Sequence, residues 1–111
     1  MDISAQQQGK LWVITIQGRL DTIGAPEFDR EMAQYLEQPA EGYLLDLSGM
    51  EYISSAGLRS LLVMAKRLGN TGQKLVLCGL NDLVNEVFEI SGFKTLFTIC
   101  QDREQGLAQM A

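Results

Sequence analysis

The chain has 111 residues and a net charge of −5, with hydrophobic residues at 46% and charged residues at 21%. That composition describes one globular domain, 1–111, with a modest core, and its acidity disfavours a nucleic-acid phosphate backbone as partner. The absence of histidine removes the usual general base and the commonest zinc ligand; with no phosphate loop, no dinucleotide fingerprint and no acidic pair at metal spacing, neither an enzyme nor a cofactor or metal site is expected.

Ile3–Gln8 and the β-branched run Leu11–Ile16 read as strands, with Gly9-Lys10 between them as a hairpin turn. Gly18-Arg19-Leu20-Asp21 reads as a loop. Gly24-Ala25-Pro26-Glu27 opens a first helix, with Pro in the first turn and Glu facing the helix dipole. Its apolar face is Phe28, Met32, Tyr35 and Leu36, and Pro39 stops it.

Gly42–Leu47 is apolar apart from Asp46, as expected of a central strand buried on both faces. Ser48-Gly49-Met50-Glu51 reads as a polar turn. A second helix follows, in which Leu58, Leu61, Leu62, Ala65 and Leu68 recur at helical spacing, leaving Arg59, Ser60, Lys66 and Arg67 on the other faces. Ser54 or Ser55 is its N-cap, and Gly69-Asn70 its C-terminal signal. Gly57, in the first turn, lets another surface come close.

Lys74–Cys78 is a further buried strand. Asn81-Asp82 caps a third helix with the face Leu83, Val84, Val87 and Phe88, closed by Gly92. Leu96–Cys100 reads as a last strand, and Asp102 with Gln105 makes a capping box for a helix over Arg103–Met110. The order β-β-α-β-α-β-α-β-α predicts an α/β domain with parallel pairing after the first hairpin. The N-terminus lacks a cationic start, and no apolar run approaches the ~20 residues of a membrane span, so neither a signal peptide nor membrane insertion is expected. Cys78 and Cys100 read as buried free thiols of a reducing cytosol.

Two adjacent hydroxyls at a helix start can be caps and nothing more. The stretch Leu45-Asp46-Leu47-Ser48 followed by Tyr52-Ile53-Ser54-Ser55-Ala56-Gly57-Leu58, however, resembles the D-L-S segment and the D/S-S-S/A-G-L box of STAS domains, the fold of anti-sigma factor antagonists. Gly18-Arg19-Leu20-Asp21 is similar to that family's G-x-L-D loop, and the element order fits across essentially the whole chain. The resemblance implies a mixed four- to five-stranded sheet with about four helices. It also implies a cytoplasmic bacterial regulator that binds an anti-sigma factor with serine kinase activity, is switched off by phosphorylation at the start of the second helix, and is reset by a serine phosphatase.

By position in the box Ser55 matches the phosphorylated serine, with Ser54, which stands where sporulation-type members often carry Asp, as the second candidate acceptor. Partner-binding candidates are Asp21, Ser54, Ala56, Gly57 and Arg59. Asp21 either meets a partner or closes its own Asx-turn. Asp46 either supports the Ser54–Ser55 loop by accepting an N–H bond or is an ordinary strand-end carboxylate. Arg59 either pairs with a phosphate or partner carboxylate or sits on a solvated helix face. Met50, Tyr52 and Ile53 either form an exposed apolar patch or turn inward, Ile53 at least reading as core. An alternative reading makes the domain a constitutive STAS subunit of a lipid-transport complex or signalling scaffold, with the serines as caps alone. A nucleotide-binding α/β domain is disfavoured by the missing phosphate loop. The free domain is expected to be a monomer.

Overall fold

A computed structural model describes residues 1–110. Strands β1 (Asp2–Gln8) and β2 (Leu11–Leu20) precede helix α1 (Gly24–Leu36), strand β3 (Gly42–Ile53) and helix α2 (Ser55–Thr71). Strand β4 (Lys74–Cys78), helix α3 (Asp82–Ser91), a 3-10 turn (Phe93–Leu96), strand β5 (Thr98–Cys100) and helix α4 (Arg103–Met110) complete the order. The five strands form one sheet in the order β1-β2-β3-β4-β5, with β1 antiparallel to β2 and every later pairing parallel. Right-handed crossovers through helices are what such parallel pairs require.

Alternation along the strands splits the core between the two faces. Ile14, Ile16, Leu45, Leu47 and Leu77 point into the larger core, where they meet Phe28 and Met32 of α1, Leu58, Leu61 and Met64 of α2, and Val84 and Phe88 of α3. Val13, Leu44, Val76 and Cys78 point the other way, into a smaller core completed by Met110 of α4. On that second face, Ser4, Thr15, Asp46, Cys78 and Cys100 are successive register partners, a polar row crossing all five strands.

Several boundaries differ from the sequence reading. The expected loop at Gly18–Leu20 and the expected turn at Ser48–Glu51 are both strand, so β2 and β3 run on together to Leu20 and Ile53. Register shifts between Thr15 and Gln17 and between Gly18 and Arg19 absorb the extra β3 residues as bulges, which a polar, glycine-containing stretch accommodates. Helix α2 passes through Gly69-Asn70 and ends at Thr71, because Gly72, at φ 73°, supplies the left-handed cap and donates to the Gly69 and Leu68 carbonyls. Ser60, placed off the apolar face, is buried, because α1 packs along α2 and Phe28, Met32, Ser60 and Met64 line one groove between them.

Leu83, assigned to the apolar face of α3, is 51% exposed. The expected strand from Leu96 begins only at Thr98, since Phe93–Leu96 coil into the 3-10 turn that sets Phe97 edge-on to Phe88 at 5.7 Å. Both cysteines are free; Cys78 is buried as expected, but Cys100, near the sheet edge, is only half-buried.

The caps of the later helices match the sequence signals. Asn81 Oδ1 accepts the Val84 N–H at 2.8 Å, and Gly92 closes α3 at φ 77°. Asn81 Nδ2 also donates to the Met50 carbonyl at 2.7 Å, tying the α3 start to the end of β3. Asn81→Ala removes both bonds and is expected to lower unfolding stability by about 1–2 kcal/mol, read as a shift in urea midpoint. In α4, Asp102 Oδ1 accepts the Gln105 N–H at 2.9 Å, while the Gln105 side chain accepts from Gln101 N rather than from the cap's own N–H.

Candidate functional site

Parallel strands β2 and β3 end side by side, and the chain leaves both at the same edge of the sheet. Leu20 pairs with Ile53 there, so the turn into α1 and the turn into α2 are neighbours. Ser54 is the α2 N-cap in extended conformation, and its Oγ accepts the Gly57 N–H at 3.2 Å. Its own N–H donates to the Leu20 carbonyl at 2.9 Å. Ser55 is the first helical residue and is exposed, and the capping bond belongs to Ser54.

Gly57 is what allows the two turns to meet. A Cβ there would lie 2.6 Å from the Leu20 carbonyl oxygen, 2.8 Å from Leu20 Cγ and 2.9 Å from Ile53 Cγ1. The nearest obstacle is backbone already holding Ser54, so it cannot step aside alone. Gly57→Ala gains up to about 1 kcal/mol of helix propensity but suffers about 1–3 kcal/mol of overpacking. A net destabilisation of about 1 kcal/mol or more is expected in urea unfolding; an unchanged midpoint would mean that the α1 turn yields freely.

Asp21 lies beside this junction, and its Oδ1 accepts from Gly24 N at 2.9 Å and Ile23 N at 3.1 Å. The Gly24 N–H bond is the main influence holding its carboxyl below the usual range, against a smaller opposing effect of desolvation. Arg19 Nε approaches the other oxygen at 3.8 Å, and its guanidinium lies over the Tyr52 ring at 4.5 Å. The Asx-turn account therefore describes the bonds of Asp21, which leave it at the rim of the Ser54–Gly57 junction.

Ala56 is half-buried and Arg59 exposed one turn further along α2. Both line an open groove of about 250 Å³, which Thr22, Pro26 and Asp29 close from the α1 side. Two exposed apolar residues belong to these elements: Val63, at 61%, lines the groove, and Ile23, at 88%, follows Thr22 in the turn. The sequence reading missed both. The only signals were an isoleucine inside a turn and a valine off the apolar stripe of α2, and neither reveals exposure by itself.

Two expectations are corrected. Asp46 does not support the Ser54–Ser55 loop: strand alternation turns it to the opposite face of the sheet, under α4. There it accepts from Ser48 N at 3.0 Å and from Arg103 Nε and Nη2 at 3.2 and 2.8 Å. Burial alone would raise its carboxyl, but the Ser48 bonds and the Arg103 guanidinium outweigh that and hold it low. Nor is there an exposed patch at Met50 and Tyr52: Met50 is core, Ile53 is core as expected, and Tyr52 is half-buried beneath Arg19. Among the described residues no cluster of His, Cys, Asp or Glu is placed to hold a metal ion, and no helix is long and apolar enough to cross a membrane.

A five-stranded mixed sheet with three helices on one face, one on the other and a serine-capped α2 at the strand ends defines a class of small α/β domain. The STAS domain family model matches residues 2–106, and the chain belongs to that family. It is 36% identical over 108 residues to BtrV of Bordetella bronchiseptica, a protein named as a candidate anti-sigma factor antagonist, covering 97% of this chain and 93% of that one. It is 24% identical over 104 residues to the anti-sigma-B factor antagonist of Staphylococcus aureus, covering 94% and 96%. Among solved structures, a candidate anti-sigma factor antagonist from Thermotoga maritima superposes with a TM-score of 0.91 at 16% identity, covering 97% of this chain and 93% of that one.

Proposed function

We propose that this domain is an anti-sigma factor antagonist. In this reading it binds an anti-sigma factor with serine kinase activity through the start of α2 and the adjoining Asp21–Ile23 turn. Phosphorylation of Ser55 ends the binding, a serine phosphatase restores it, and the cycle runs in the cytoplasm with a monomeric free domain. The names carried by its relatives support the partner class.

The observation that carries the choice of residue is the division of labour between the two serines. The Ser54 oxygen is engaged in capping the helix, whereas Ser55 is exposed one residue on, next in the chain to Ala56, which lines the groove with Arg59. A phosphoserine carries about −1.5 to −2 charges, and at a helix N-terminus the free N–H groups and the dipole stabilise that charge. Phosphorylation would therefore leave the fold standing and change only the surface, adding charge and bulk where a partner packs against Ser55 and Ala56.

The test is incubation with ATP and a lysate of the cells the protein comes from, followed by peptide mass spectrometry. One phosphate on Ser55, lost in Ser55→Ala, is the expected result. The absence of phosphate from both Ser54 and Ser55 would overturn the switch and leave a constitutive interface.

A further inference from the structure

The polar row across the second sheet face ends in two cysteines on neighbouring strands. Cys78 and Cys100 are direct register partners in the parallel β4–β5 pair, so their side chains leave the sheet on the same side. Strand neighbours lie about 4.8 Å apart, inside the span of about 4.4–6.8 Å between Cα atoms that a disulfide bridges. Both thiols are free. Cys78 is buried in the small core with Val13, Leu44, Val76 and Met110, and Cys100 packs at its border, half-buried. Strand β5 is a three-residue edge strand, joined to β4 by the pairs Val76–Thr98, Leu77–Ile99 and Cys78–Cys100, so the small approach of β4 and β5 that an S–S bond needs meets little resistance.

We propose that Cys78 and Cys100 form an oxidation site, closing to an intrachain disulfide when the domain meets a hydroperoxide.

The two thiols take unequal parts. Burial, and then the Asp46 carboxylate beside it, push the Cys78 thiol up to about 11, so Cys78 is poorly suited to react first. Cys100 is the sulfur that a small oxidant reaches. Its thiolate attacks the O–O bond, which breaks to leave a Cys100 sulfenic acid and release water or, from an alkyl hydroperoxide, an alcohol. The Cys78 sulfur then attacks the Cys100 sulfur. The S–O bond breaks, the Cys78 proton goes to the departing hydroxide, and a second water leaves. Two thiols have lost two electrons and two protons, and the peroxide has taken them up. The closed ring encloses α3 and the 3-10 turn and fastens the edge strand from which α4 departs. This site lies on the sheet face opposite α2 and is independent of any event at Ser55.

The test uses the unmodified chain. It is treated with hydrogen peroxide near stoichiometry, unfolded in N-ethylmaleimide and weighed intact. The expected species has lost two hydrogens and both alkylation sites, yields a Cys78–Cys100 linked peptide on digestion, and regains both sites after dithiothreitol. Hydrogen exchange at Ile99 and Cys100 should slow in the oxidised form. Cys100→Ser should lose the cross-link while keeping the circular dichroism of the parent chain. Three results would overturn the proposal: Cys100 oxidised to sulfinic or sulfonic acid with Cys78 still alkylated, a dimer linked through Cys100, or both cysteines alkylated after treatment.

Discussion

Ser55→Glu is expected to bind an anti-sigma factor roughly 100-fold more weakly than the parent domain, a loss of about 2.8 kcal/mol, with no fall in its own stability. The two halves of that expectation come from one position. Ser55 is the first residue of α2, where a carboxylate gains about 0.3–1 kcal/mol from the helix dipole, and its side chain is exposed, so Glu meets no steric conflict inside the domain. In the proposed complex the same carboxylate would stand where the partner approaches Ala56 and the groove beside Arg59. It brings charge that must be desolvated and bulk that prevents close packing.

Ser55→Ala should retain parental affinity and resist the lysate kinase. Ser54→Ala provides the contrast, since it removes the cap to Gly57 N and should cost about 1 kcal/mol of stability. Titration calorimetry with the purified anti-sigma factor, alongside thermal melts of all three variants, separates these effects. Equal affinity for Ser55→Glu and Ser55→Ala would remove Ser55 from the interface.

The largest single effect on folding is expected from Arg103→Met. The Asp46 side chain is 13% exposed, and the bidentate approach of Arg103 satisfies one of its oxygens at 2.8 and 3.2 Å. Arg103 Nη2 also donates to Thr15 Oγ1 at 3.0 Å. Removing one partner of a buried pair costs about 3–5 kcal/mol, because the remaining charge is left without its counterpart. Arg103 is 40% exposed, however, so solvent screens part of the attraction and about 2 kcal/mol is the appropriate expectation.

The sign of the pH dependence follows from Asp46. Its folded carboxyl titrates below the unfolded value, so its contribution is complete above about pH 4 and is lost as the pH falls through the folded value. The stability gap between parent and Arg103→Met should therefore be widest near neutrality and should narrow on acidification below about pH 4. Urea unfolding across that range reads it directly. A constant gap would mean that Arg103 acts by packing over the sheet and not by charge.

What the sequence disclosed was mostly local. Asn81 and Gly92 bracket α3 as their types require, and Asp102 with Gln105 marks the start of α4. Ser54 and Gly57 identify the α2 junction because cap and close approach lie within four residues of each other. What it concealed was decided by distant chain. Asp46 and Arg103 are 57 residues apart, and no local pattern announces which face of β3 a lone carboxylate will take until α4 is placed above it. The Ser48–Glu51 segment has turn chemistry, yet β2 draws it into the sheet through bulges. Gly69 and Gly72 both offer a stop, and it is Gly72 that takes the left-handed φ of 73° and closes onto the Leu68 and Gly69 carbonyls, while Gly69 stays helical. The exposure of Ile23 and Val63 could be recognised only once their neighbours had failed to cover them.

The strand order is also the order of the chain, each strand lying beside the one made just before it. No strand has to wait for a distant partner, so the sheet can grow stepwise from the first hairpin as residues leave the ribosome. The helices that cover the larger core arrive in step with it. The opposite face differs: Val13, Leu44 and Val76 come from β2, β3 and β4, but Met110, which completes their core, lies in α4 at the end of the element order, so in stepwise growth this strip would be covered last. Until then that strip would be the adhesive side of an emerging domain, and it is α4, with Met110 in the small core and Arg103 on Asp46, that covers it.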